Sequence, residues 1–490
     1  MTAAIMAGFK RDKPDSHALR ARRSQDIRLW ANDPGGPRIE PRPETVGPSS
    51  TRKSPIEMNA IALRHALAPP WVGGALTPVR ARTAAAASLC AICLAAAALG
   101  FLLVFLVPPN LPYDEPSHVN IVHYYAEHLQ MPILGQPGVS YEGQNGPVYY
   151  SLAGLALRLT GTAVSSVSLH VVRSLGIPLL LAETLLTYML ARAVAPRSRL
   201  LAIAATALVG LNPTLLAIAS SVENDMLALV LAAAAMYLCL RWLDQETIDA
   251  PRGAAVGGLV GVAILTKVTT VFLVAGIPIA FAVLQRRRSV PFLAGYLGVI
   301  LALTGWWFAR STLLYGDPTA RAPLEVYGFG ILNLSSRPAT RHWLENLVAY
   351  YWSPTEYYRN AFRTPLVLKF AVGAVYIGAA MGFLRWWREG SRLRRMPPTY
   401  LFVAVQFAAC LLVYVYECLR IANLPPRAMF PTFPVFAIAV AGGGLWVADL
   451  AGVRGRAAYV AGVVSLLTAL NLHVLTSVAS VHDFAYIRFD

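Results

Sequence analysis

The sequence predicts an all-α polytopic membrane protein of about eleven to thirteen transmembrane helices, and three observations carry that reading. Of its 490 residues, 56% are hydrophobic and only 14% charged, with a mean hydropathy of +0.51, a balance that soluble domains rarely combine. Several uninterrupted apolar windows reach roughly 18 residues or more, enough to cross ~30 Å of hydrocarbon. The basic residues gather beside those windows, in "PVRAR" before the first, "QRRRS" at 285–289 and "RWWREGSRLRRM" at 385–396. Such clustering marks cytoplasmic segments by the positive-inside rule. The net charge of +16 therefore speaks for membrane topology and not for nucleic acid, which would need a binding motif that the basic patches lack.

In chain order, residues 1–83 come first, rich in Arg, Pro, Asp and Ser and without sustained apolar periodicity. They read as a disordered, basic cytoplasmic tail. The tail is too long and polar for an ordinary signal peptide, and Met58 offers a second start. The first span is expected at 84–107, with a polar loop, 108–146, on the far side. Further spans are expected near 174–194, 198–218, 222–243, 253–267, 268–285, 290–308, 366–387, 398–417, 431–449 and 457–477. The pair at 253–285 suits a short-helix hairpin centred on Lys267. The short apolar segment "GPVYYSLAGLALRL" lies along the membrane surface, or crosses and returns through 163–173; this choice separates the lower helix count from the higher. With the tail inside, the loops 108–146 and 309–365, the turns near 219–225, Lys267 and 419–430, and the C-terminus all fall on the outer side. The five cysteines sit in or at the end of apolar spans, so no loop disulfide or zinc cluster is implied.

That convergence on one face directs attention to the titratable residues there. In "NLPYDEPSHVNIVHYYAEH" the prolines end the first span, and Asp114 can serve as N-cap of a helix running to about His128, with Pro116 in its first turn. Asp114 and His118, four apart, share a face of that helix. An acid and a histidine so placed can orient a hydroxyl and take its proton, or supply ligands to a divalent ion, with Glu115 as a third. Equally, the acids can simply cap a surface helix. His123 and His128 fall off the shared face. In "SYEGQNGPVYYSL" Glu142 and Gln144 precede a Gly-Pro turn, and Glu142 can face back to Asp114; Tyr149 can touch substrate, or Tyr149 and Tyr150 can anchor the helix in the aromatic belt. Glu223, Asn224 and Asp225 fill a tight turn between two apolar runs, as a solvated turn or a ligand site. Lys267 carries an insertion cost of ~2.5–3.5 kcal/mol if central in a span and needs an anionic partner, such as a lipid-borne phosphate. Arg427, flanked by prolines, can fork onto a phosphate or snorkel to the interface. The aromatic stretch "RHWLENLVAYYWSPTEYYRN" suits a sugar ring as well as an interface.

Taken together, "YDEPSH", "EGQNGPVYY", "NPTLLAIASSVENDMLAL", "GVAILTKVTTVFL", "WWFARSTLLYGDP" and "PPRAMFPTFPVFAIA", in this order over about 107–440, resemble the GT-C superfamily of membrane glycosyltransferases. The branch they are most similar to is that of bacterial protein O-mannosyltransferase and lipid A aminoarabinose transferase relatives. The resemblance implies a GT-C-like bundle: an N-terminal transmembrane catalytic module at 84–308, an extracytoplasmic loop at 309–365 and C-terminal helices at 366–490. It implies a bacterial inner-membrane enzyme that moves a sugar from a polyprenyl-phosphate carrier to a lipid, glycan or protein acceptor on the outer face, with inversion. Asp114, with Glu115 beside it, is then the base or a ligand of a divalent ion shared with His118. Lys267 and Arg427 hold the carrier phosphate, and His118, Glu142, Gln144, Tyr149, Glu223, Asn224 and Asp225 are candidate substrate contacts. Two motifs depart from the relatives, which often read "HQPPLYY" where this chain has "NGPVYY" and "GRYLFP" where it has "PRAMFP"; the sugar and acceptor do not carry over. The competing classes are a transporter, expected to show inverted repeats that are not visible here, a surface-polysaccharide ligase or polymerase, and a non-catalytic scaffold.

Overall fold

The computed structural model describes residues 78–481, apart from 162–165, 244, 246–247, 321–322, 325–326, 328–344, 346–347, 389–396 and 421–424. The tail expected at 1–83, the middle of the 309–365 loop and the last nine residues therefore lie mostly outside the described residues.

The chain is a polytopic all-α membrane protein, and among the described residues there is no strand. Helix α1, Pro78–Leu106, is the first span. Two short helices follow, α2, Glu115–His128, and α3, Pro147–Leu159, packed against each other. Gly154 permits that packing: a Cβ there would press on Tyr125. Next come α4, Ser166–Ser174, α5, Gly176–Val194, α6, Arg199–Gly210, and α7, Pro213–Ala219. Helices α6 and α7 form a bent pair at 53°. The bend has a local cause: Asn212 caps α7 by accepting from the Leu215 amide at 2.9 Å, and Pro213 opens the new helix.

The bundle continues with α8, Asp225–Trp242, α9, Ala250–Ile264, α10, Phe272–Leu284, and α11, Val290–Tyr315. It closes with α12, Leu366–Arg388, α13, Pro398–Arg420, α14, Phe433–Ala448, and α15, Gly452–Ala479. Seven stretches of the described residues are long and apolar enough to cross a membrane, eight if α6–α7 is one span; one of them, Pro426–Ala479, contains both α14 and α15. Helices α9 and α10 are shorter and take the place of the hairpin expected about Lys267, which sits between them. Gly253, Gly257 and Gly261 form a stripe on α9 that lets α11 approach so closely that a Cβ would collide with the Phe292 or Tyr296 carbonyl or the Leu303 side chain. Small residues at every fourth position serve this purpose where lipid supplies no hydrophobic drive between helices.

The apolar core runs through α5, α6, α8 and α14. One end of it is polar. There the α2 start, the α7–α8 turn, the α9–α10 break and the Pro426–Thr432 turn before α14 meet.

Candidate functional site

Asp114 stands at the N-cap position of α2, but its side chain makes no capping bond. The expectation of an N-cap is thus corrected in its chemistry: the carboxylate turns away from the helix because stronger partners reach it. Arg427 pairs with Asp114 Oδ2, and the Tyr141 hydroxyl donates to Oδ1. Arg427 arrives from the 3-10 turn Pro426–Thr432, which is buried throughout. Its guanidinium also meets Glu223 Oε1 at 2.9 Å and Asp225 Oδ2 at 3.3 Å, and lies 5.4 Å and 5.7 Å over the rings of Tyr113 and Tyr357. The arginine is therefore no interfacial snorkeller but the hub of three acids.

Lys267 likewise finds its anion inside the protein. Its Nζ lies 2.6 Å from Asp225 Oδ1, and its side chain, 13% exposed, keeps some access to the exterior. The backbone around it is set from two sides. Asn224 donates to the Thr266 carbonyl at 3.0 Å, and the Val148 amide donates to the Leu265 carbonyl at 3.2 Å. The second contact explains the glycine in "NGPVYY": any side chain at Gly146 would run into the Leu265 carbonyl. Glu223, Asn224 and Asp225 are all buried, so the turn is not a solvated one; Asp225 opens α8, where the helix dipole favours an anion.

His118 is the centre of a second chain of contacts. Its Nδ1 lies 2.7 Å from the Tyr150 hydroxyl, which donates onward to Glu142 Oε2 at 3.1 Å; Asn145 donates to the same oxygen at 2.5 Å. With the Tyr150 proton committed to Glu142, Nδ1–H is the donor and Nε2 is left bare. That bare nitrogen faces Glu223 Oε2 at 2.7 Å, and neither atom completes a hydrogen bond. Burial holds the His118 imidazole below its ordinary range, and burial together with the neighbouring Asp225 pushes the Glu223 carboxyl well above its own. Glu142 thus approaches the cluster through Tyr150, while Gln144 is half-buried at the end of the Tyr141–Gln144 turn. Tyr149 and Tyr150 are both buried, and the Tyr149 hydroxyl accepts from the Glu223 amide at 3.1 Å; they serve the site's framework and not an aromatic belt.

Glu115 points the other way. Both its oxygens are held by Arg173, Nε to Oε1 at 2.7 Å and Nη2 to Oε2 at 2.5 Å, and Oε1 also accepts from the Val222 amide at 3.1 Å. The trio that shares a point is therefore Asp114, His118 and Glu223, whose ligand atoms all lie within 4.8 Å of one another, and not Asp114, Glu115 and His118. Sequence adjacency misled here because consecutive residues on a helix diverge by about 100°.

Two solved structures share this architecture. An oligosaccharyltransferase of Archaeoglobus fulgidus in the apo form superposes with a TM-score of 0.51 at 15% identity, covering 80% of this chain and 56% of that one. ArnT from Cupriavidus metallidurans in the apo state gives a TM-score of 0.51 at 14% identity over 81% of this chain and 76% of that one. The chain shares its fold with these two membrane enzymes. No family profile matches the sequence, and no curated protein does. The present chain spans a little over half the length of the archaeal enzyme.

On this scaffold the cluster has a definite charge character. Four carboxyl groups, Asp114, Glu142, Glu223 and Asp225, surround two cations, Arg427 and Lys267. Two acceptor atoms facing each other at 2.7 Å call for a proton or a cation between them. The Asp–His–Glu trio can hold a divalent metal ion, a mixed nitrogen and oxygen set that suits zinc or manganese. Three site residues escaped the sequence reading. Tyr357 lies in the aromatic stretch, and its hydroxyl donates to Glu223 Oε1 at 3.2 Å; Tyr141 sits beside Glu142; Arg173 stands just before the span expected at 174–194 and pairs with Glu115.

Proposed function

We propose that this protein transfers a sugar from a polyprenyl-phosphate carrier to a lipid, glycan or protein acceptor at the extracytoplasmic face of a bacterial inner membrane. The observation that carries the reading is the buried Asp114–Arg427–Glu223–Asp225–Lys267 network at one end of a GT-C bundle. Desolvated charges of both signs at one point are what phosphate departure and acceptor activation require together.

Lys267, the more accessible cation, meets the carrier phosphate first, and Arg427 adds a planar fork. Asp114 takes the proton of the acceptor hydroxyl or amine as that atom attacks the anomeric carbon. The bond between that carbon and the phosphate oxygen breaks, and the carrier phosphate leaves with the electron pair. Attack opposite the leaving group inverts the anomeric configuration. Tyr141 holds the Asp114 carboxylate in register, and Glu115 fixes the turn behind Glu223. Asp114, His118 and Glu223 would hold a divalent ion, which when bound supplies Lewis-acid stabilisation of developing negative charge.

The test is turnover in reconstituted liposomes with a panel of polyprenyl-phosphate sugars, comparing the natural protein with Asp114→Asn and reading product anomers by NMR. Sugar transfer with inversion, lost in Asp114→Asn while carrier binding persists, supports the proposal. Absence of carrier binding, or full turnover in Asp114→Asn, refutes it.

A further inference from the structure

An apolar concave surface runs along α14 from Val435, just past the Pro426–Thr432 turn, to Trp446 at the other end of the helix. A cavity of about 440 Å³ is bounded by α6, α12, α13 and α14, with Leu201, Tyr400, Phe407, Phe436, Gly442 and Trp446 in its wall. Its wall follows α14 from Val435 to Trp446, which at 1.5 Å per residue is about 16 Å. That is about half of the ~30 Å hydrocarbon core, the depth of one leaflet. The cavity exists because α12 and α14 approach backbone to backbone at Gly382 and Gly443, where either Cβ would strike the other helix, leaving a hollow beside the contact.

The mouth is cationic. Arg385 donates to the Trp446 carbonyl at 3.1 Å and lies 5.5 Å over the Trp446 ring, which fixes the guanidinium at the end of the groove. Asp449, at the same end, is engaged by Arg456 at 3.1 Å. The Thr399 hydroxyl donates to the Val194 carbonyl at 3.4 Å, bringing the last turn of α5 to the start of α13. That turn carries Arg192, whose Nη1 is buried and has no hydrogen-bond partner among the described residues.

We infer that this groove binds one anionic phospholipid of the leaflet opposite the acid cluster, with an acyl chain along α14 and the headgroup phosphate at Arg385. Apolar walls at chain depth and fixed positive charge at headgroup depth match that ligand and not a neutral lipid.

The experiment is native mass spectrometry of the full-length protein released from vesicles of equal phosphatidylglycerol and phosphatidylcholine. One phosphatidylglycerol retained per chain, in preference to phosphatidylcholine, is expected. Arg385→Gln lowers that preference about fivefold, the size of one basic contact at a charged membrane surface. Gly442→Leu fills the groove and abolishes retention of both lipids; its Cβ would meet the Leu201 side chain at an ordinary 3.7 Å. If that variant is not monodisperse, Ala404→Leu from α13 blocks the same wall and is read the same way. Unchanged retention in the blocking variant, or equal retention of both lipids by the natural protein, overturns the inference. So does displacement of phosphatidylglycerol by an equimolar polyprenyl phosphate, which would make the groove a carrier site. None of these readouts depends on sugar transfer.

Discussion

Replacing Arg173 by methionine removes the cation that locks the two halves of the site's framework together. The guanidinium is wholly buried. It donates to both oxygens of Glu115 and to the carbonyls of Val104 and Val107 at the end of α1, at 3.2 and 2.7 Å. Methionine fills most of the volume but leaves the Glu115 carboxylate, 1% exposed, with the Val222 amide as its remaining hydrogen-bond partner. Breaking a buried pair from one side costs about 3–5 kcal/mol, most of it the uncompensated charge and not the lost attraction. The double variant Arg173→Met with Glu115→Gln removes that charge while keeping an acceptor for Val222. It should therefore stand about 1–3 kcal/mol below the natural protein, the cost of the remaining lost hydrogen bonds. The assay is reversible unfolding in mixed micelles with increasing sodium dodecyl sulfate, followed by tryptophan fluorescence. A loss below about 1 kcal/mol in the single variant, the size of an exposed ion pair, would refute the reasoning. A double variant no more stable than the single one would refute it too.

Further outcomes follow from the same geometry. Asp114→Asn should lower single-turnover sugar transfer by about 10²–10⁴-fold with carrier affinity retained, the range of general-base assistance, as read by rapid quench and filter binding. Lys267→Met should weaken binding of a polyprenyl-phosphate analogue about 10–100-fold, the value of one charged hydrogen bond, in calorimetry on detergent-solubilised protein. Gly146→Ala drives a methyl group into the Leu265 carbonyl; it should cost about 1–3 kcal/mol of stability in the same micelle unfolding assay. Protein dialysed against zinc or manganese and then desalted should retain a single ion by elemental analysis, and His118→Ala should abolish that retention while Glu115→Gln leaves it intact. Retention by His118→Ala would exclude the Asp–His–Glu trio as the ligand set.

The candidate site was partly legible in sequence because its residues are anomalous where they stand. A lysine between apolar helices, an arginine among prolines and three polar residues in one tight turn each carry an insertion cost that needs a reason. Tyr141, Tyr357 and Arg173 gave weaker signals. A tyrosine near a membrane surface has an ordinary interfacial explanation, and only the direction of its hydroxyl distinguishes a site residue from an anchor. Glu115 was the reverse case: its adjacency to Asp114 proposed a shared role, and helical geometry sends the two side chains to different partners.

Composition and hydropathy by themselves determined that the chain is an all-α membrane protein and roughly where its helices run. The reason is local: every backbone group in hydrocarbon must be satisfied within its own helix, so a long apolar window has one solution. They also determined which polar residues are out of place. Which of these meet was decided by tertiary structure alone. Asp114, Glu223 and Arg427 are separated by a hundred residues or more, and they converge because the α1–α2 connection, the α7–α8 turn and the turn before α14 end at one face of the bundle. The partners of Lys267 and Arg427 followed from that convergence. A buried charge takes the nearest counter-charge that packing presents, and no sequence interval encodes that distance.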